Sequence, residues 1–166
     1  MQSWSNRVLE EANLFNPAFC AVLLAEASKD FNNKASRPLP FALAFLVLPI
    51  ILHRSTREAL PASTVTSLLP WIQENREHLV DFSTRVQRLK TIGREAILFG
   101  VQTQSLSLSA DGALVLGQKR RSITVKRTPL FTPEARACVE RAGFIGRWFA
   151  VAGSTATIYA AWGIAP

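Results

Sequence analysis

The sequence predicts an α+β fold that is mainly helical and winged-helix-like: helices first, then a β-hairpin, then C-terminal helices. Three observations carry this. Helix-start signals precede apolar residues spaced at three and four. The pattern switches to period two only around Ala110-Asp111-Gly112. Helical spacing returns after Thr132-Pro133. A generic α+β domain with an incidental hairpin is the alternative.

The elements follow in order. Asn16-Pro17 places an N-cap before a proline at the first helical position. Cys20, Leu23, Leu24, Ala27 and Phe31 then define one helical face. After a loop over 32–38, Leu39-Pro40 opens a second helix, apolar all round and therefore expected to be buried on every side. Pro49 should kink or break it, because proline lacks the amide hydrogen and crowds the preceding turn. The chain turns polar at 53–58 and closes at Leu60-Pro61.

Ser63 or Thr64 is expected to cap a short helix through Leu68-Leu69, and Pro70-Trp71 to restart a longer one. Ile72, Leu79, Phe82, Val86 and Leu89 make its apolar stripe, with Asp81 and Arg85 paired on the opposite face. Gly93 marks an expected break, and Ile92, Ala96 and Phe99 keep the helical register across it. Leu106 and Leu108, then Leu114 and Leu116, alternate with their neighbours across Asp111-Gly112, a tight-turn pair. Residues 122–125 read as a third strand. Thr132-Pro133-Glu134 starts a helix whose inward face is Ala135, Cys138, Val139, Ala142, Ile145 and Phe149. A last helix runs from Ser154 to Trp162 and stops at Gly163.

At 166 residues the chain reads as one domain over 1–166: a helical part over about 1–101, a hairpin over about 105–127, and C-terminal helices over about 132–163. Apolar residues form 48% and charged residues 19%, which excludes intrinsic disorder. The positive mean hydropathy leaves apolar surface over for a partner. No N-terminal leader pattern is visible, and the uncharged run Leu39–Leu52 is too short and too proline-broken to span a bilayer. A cytoplasmic location is the expectation.

Little in the sequence carries chemistry. Cys20 and Cys138 have no neighbour at metal-ligand spacing and read as buried free thiols, a disulfide between them being the alternative. His53 ends an apolar run, and His78 is expected on the polar face of a helix. The glycines form no phosphate loop, and no nucleophile elbow appears. The three aspartates, Asp30, Asp81 and Asp111, do not cluster, and Asp111 belongs to the turn. No enzyme, metal or cofactor is expected.

Charge is more informative. The net charge is +7, with 14 arginines to 5 lysines. Residues 119–147 hold eight basic residues against Glu134 and Glu140, a net +6. Lys119, Arg120, Arg121, Lys126 and Arg127 follow the hairpin with no acid among them, as a wing contacting DNA backbone would. A solvated loop, or a surface for an acidic protein, fits the same residues. Trp4, Arg147, Trp148 and Trp162 are the expected partner anchors, because Trp and Arg dominate interface hot spots.

Several phrases stand in order along the chain: 11–19 (EANLFNPAF), Leu39-Pro40-Phe41, Leu46-Val47-Leu48-Pro49, and His53 with Thr56-Arg57 and Leu60-Pro61. Ser67-Leu68 before Trp71, Gly146-Arg147-Trp148-Phe149, and Gly163 with Pro166 complete the set. In order and spacing they resemble the middle components of bacterial three-component ABC systems, and among these the resemblance points to a Lamassu-like defence system. The resemblance spans almost the whole chain. It implies a non-enzymatic adaptor beside an SMC- or Rad50-like ABC ATPase and an effector, often a nuclease, acting against phage and plasmids. Double-stranded DNA would be a further partner; a membrane would not. A stand-alone winged-helix DNA-binding regulator is the alternative. A membrane-active toxin resting on Leu39–Leu52 is a third reading.

Overall fold

The computed structural model describes residues 15–119 and 132–164. Helix α1 (Pro17–Ala35) starts as the sequence predicts: the Asn16 side chain accepts the Ala18 N–H at 2.9 Å, with Pro17 in the first turn. Cys20, Leu23, Leu24, Ala27 and Phe31 are all fully buried, so the apolar spacing names the inward face. Ser36, with φ 53°, ends the helix by bonding its N–H to Asn32 O.

Helix α2 (Phe41–Ile51) begins later than expected. Leu39 is taken by the sheet instead, exchanging backbone hydrogen bonds of 3.2 and 2.8 Å with Leu114. Leu43, Ala44 and residues 46–51 are buried, but Phe41 and Ala42 are exposed, so burial on every side fails at the first turn. Pro49 does not break α2, which continues to Ile51. So close to the C-terminus, the missing amide costs a single hydrogen bond.

The expected short helix from Ser63 is absent, and the long helix from Pro70 is divided. Helix α3 (Arg54–Ala59) is followed by a loop, then α4 (Leu68–Glu74) with Pro70 inside it. A 3-10 turn (Arg76–Leu79) and Asp81, with φ 56°, separate α4 from α5 (Phe82–Gln102). The loop before α4 has a tertiary cause. Carbonyls at the end of α3 and in the loop accept from side chains elsewhere: Ala59 O from Trp71 Nε1 at 3.2 Å, Leu60 O and Pro61 O from Arg141, and Thr66 O from Trp148 Nε1 at 2.7 Å. A helix would have turned those acceptors inward.

Gly93 does not break α5 either. The Phe45 ring rests against it, 3.3 Å from where a Cβ would stand, so the glycine serves helix contact. Phe82, Val86, Leu89, Gly93, Ala96 and Gly100 follow one another at steps of four and three along the packed face of α5.

Strands β1 (Leu106–Leu108) and β2 (Leu114–Leu116) form the expected antiparallel hairpin, with Leu106 opposite Leu116. Gly112 takes φ 79° in the turn, and Ser109 hydrogen-bonds the Asp111 carboxylate. Residues 122–125, read as a third strand, lie outside the described residues.

Helix α6 (Pro133–Val151) is capped by Thr132, and α7 (Thr155–Ala161) by Ser154. Helix α1 sits centrally, against α6, α5, α2 and β2; α2 also packs on α5. Over the described residues the result is a mainly helical α+β fold with a short hairpin and C-terminal helices.

One end of the core is aromatic. Trp71 meets Trp148 edge-on at 5.4 Å between ring centroids and Trp162 at 6.0 Å, and Phe82 stacks on Trp162 at 4.5 Å. His78 stacks parallel to Trp71 at 6.0 Å and is 8% exposed, not on a polar helix face as expected. Its turn is 3-10, and the tighter winding carries the ring inward.

Candidate functional site

Two surfaces stand out. The first is the outer stripe of α5, where Lys90, Arg94, Leu98 and Val101 are exposed at steps of four, four and three. The N-terminal part of this stripe is cationic and the C-terminal part apolar. Phe99 and, on β1, Leu108 add exposed apolar area at 38% and 47%. The one acid within α5, Glu95, is buried, so every exposed charge on the helix is positive. Lys119 follows the hairpin, exposed, with its N–H bonded to Gln104 O at 2.9 Å just after α5.

The predicted site residues fall unevenly on this picture. Lys119 stands at the surface near the end of α5, while Arg120, Arg121, Lys126, Arg127 and Trp4 lie outside the described residues. Trp148 and Trp162 are 0% and 1% exposed, inside the aromatic end of the core. An indole sealed by its own chain presents no face to a partner, and their exposed aromatic character existed only in the linear sequence. Arg147 is half-exposed and paired with Asp30 on α1. The C-terminal part of the basic region thus acts inside the chain: Arg141 binds the Leu60 and Pro61 carbonyls and lies over the Phe144 ring.

Arg57, 2% exposed, is a buried charge that sequence reasoning gave no role. Its guanidinium donates to Ile51 O at 2.7 Å and to the Glu134 carboxylate. It therefore closes the C-terminus of α2, where the helix dipole favours a cation, and ties it to α6. The one available signal was its place just after an apolar run whose last carbonyls needed donors.

The second surface is a cleft of about 630 Å³ near the start of α5. Leu52, Val80 and Leu89 supply apolar wall; His53, His78, Arg85 and Arg88 supply polar hydrogen. A relay fixes its floor. Thr56 donates its N–H (3.3 Å) and hydroxyl (2.7 Å) to His53 Nδ1, and Arg85 Nη2 donates to Thr56 Oγ1 at 3.4 Å. Nδ1 is then the acceptor, and in the neutral ring Nε2 carries the hydrogen.

Burial first, then the charges of Arg85 and His78, hold His53 below its ordinary value near 6.5. The unfolded chain then binds a proton that the folded chain resists, so the stability present at neutral pH is lost as the pH falls through the folded-state value. Protonated Nδ1 could no longer cap α3. His53→Asn, whose amide oxygen can accept the same N–H, is expected to reduce the fall in Tm between about pH 7 and pH 5. Thermal melts at both pH values check this; an unchanged fall would show that His53 contributes nothing to it.

Cys20 and Cys138 are free and buried, with burial pushing the Cys20 thiol up to about 12. Among the described residues, no group of three or more His, Cys, Asp or Glu is placed to hold a metal. No helix among them is long and apolar enough to cross a membrane.

No curated protein matches, and no solved structure matches. A family model described as ABC-three component (ABC-3C) system Middle Component 3 matches residues 4–166. Matched over nearly its whole length, the chain belongs to the middle component 3 family of ABC three-component systems.

Proposed function

We propose that the chain is a non-enzymatic adaptor, coupling an SMC- or Rad50-like ABC ATPase to an effector nuclease in cytoplasmic defence against phage and plasmids. The observation that supports this reading is the outer stripe of α5, with cations at Lys90 and Arg94 and apolar groups at Leu98 and Val101. Apolar residues exposed beside like charges suit a protein partner: the apolar part supplies affinity, and the cations supply orientation and on-rate. Lys119, Arg120, Arg121, Lys126 and Arg127 add DNA-backbone contacts in the assembled complex.

Co-expression with the other two components of the system tests the reading. Wild type is expected to co-purify with them, and Leu98→Asp combined with Val101→Asp to weaken that association at least about tenfold, a desolvated charge facing apolar surface. Both positions are exposed, so Tm should stay within about 2 °C. A chain that stays monomeric with all components present would overturn the proposal. Tight, salt-steep DNA binding by the chain alone, weakened by Lys119, Arg120 and Arg121→Ala, would instead favour the stand-alone regulator.

A further inference from the structure

The cleft at the start of α5 is not explained by an adaptor role. Its polar hydrogens come from separate elements: His53 from the α2–α3 junction, His78 from the 3-10 turn, and Thr84, Arg85 and Arg88 from α5. Arg85 is incompletely satisfied. Its Nε is buried without a hydrogen-bond partner, and Nη2 makes only long contacts, 3.4 Å to Thr56 Oγ1 and 3.5 Å to His78 O. Its guanidinium carbon lies over the Phe82 ring, 5.2 Å from the centroid. A half-buried guanidinium whose buried Nε has no partner has donors to offer an anion.

We propose that this cleft binds a small organic phosphate, with Arg85 and Arg88 on the phosphate and the wall of Phe15, Leu52, Val80 and Leu89 on its body. The donor set favours phosphate over carboxylate. One arginine fork satisfies a carboxylate, whereas a tetrahedral phosphate accepts from several directions, as Thr84, Arg85, Arg88 and the His53 ring offer. The volume argues for an organic body. About 630 Å³ is far more than a bare phosphate fills and lies in the ordinary range of small-molecule sites. Glu77 and Asp81 border the same cleft, and both are exposed, so water screens them more than it screens Arg85. Asp81 lowers the affinity without removing it.

Isothermal titration of the full chain tests this with phenyl phosphate and AMP as probes, and with inorganic phosphate and benzoate as controls. At least one probe is expected to bind with Kd below about 1 mM, and both controls to bind at least about tenfold more weakly. AMP binding tighter than phenyl phosphate would identify a nucleotide-type body within the same chemistry, and the reverse a simple aromatic one.

Arg88→Gln, at an exposed position, should weaken the bound probe about tenfold while Lys119→Ala leaves it unchanged, which separates the cleft from the basic loop. Asp81→Asn should tighten it several-fold; asparagine tolerates the left-handed backbone at this position. The proposal is overturned if neither probe binds, if benzoate equals the probes, or if Arg88→Gln has no effect. None of these readouts involves the other components, so failure here leaves the adaptor reading untouched, and the reverse holds too.

Discussion

Trp148→Ala is expected to destabilise the fold by about 4 kcal/mol, lowering Tm by roughly 10 °C. The indole is 0% exposed and sits at the centre of the aromatic end, against Trp71 edge-on and Phe144 at 5.6 Å. Truncation opens a cavity between α4 and α6 that neighbouring rings, fixed by their own contacts, fill only in part. It also removes the donor to Thr66 O, a bond of 2.7 Å that holds the loop before α4. Trp148→Phe keeps most of the volume and loses the hydrogen bond, so about half the effect is expected. Urea unfolding of the three proteins checks the order. A loss below about 1 kcal/mol for Trp148→Ala would show that the ring does not pack as described.

Gly146→Ala should cost about 2–3 kcal/mol, against the usual gain of about 1 kcal/mol for alanine over glycine inside a helix. A Cβ at Gly146 would stand 2.1 Å from Ala27 O and 3.0 Å from Phe31 N. Both are backbone atoms of α1, so no side chain can rotate away, and α1 and α6 must part. Gly143, one turn earlier on α6, is the internal control. Its Cβ would meet the Asp30 carboxylate at 2.8 Å, the end of a side chain that can move, so Gly143→Ala should change stability by less than about 1 kcal/mol. Equal behaviour of the two variants in chemical denaturation would contradict the close approach of α1 and α6.

Where side-chain spacing and local turn chemistry agree, the sequence is legible. The face Cys20, Leu23, Leu24, Ala27 and Phe31, the caps Asn16 and Thr132, and the turn at Asp111-Gly112 all depend on neighbours within a few residues. The expected break at Gly93 and the expected helix from Ser63 fail because a distant partner decides each: the Phe45 ring at Gly93, and Arg141 and Trp148 at the loop carbonyls. The functional surfaces divide in the same way. The basic residues after the hairpin were visible as a run. The stripe Lys90, Arg94, Leu98 and Val101 was not, because which side of a partly apolar helix faces outward depends on where α1 and α2 lie.

The sequence by itself determined the helices-hairpin-helices order, the starts of α1, α6 and α7, the inward face of α1, and the family through its ordered phrases. Only the tertiary structure decided which charged and aromatic groups are internal. Arg57, Arg141, Trp148 and Trp162 look like surface groups in the chain, yet each is held by a contact from far away along it, Arg57 by Glu134. The physical reason is range. Periodicity and capping are set by bonds that close within a turn or two, whereas burying a cation or an indole requires donors, acceptors and apolar walls that only the folded arrangement brings together.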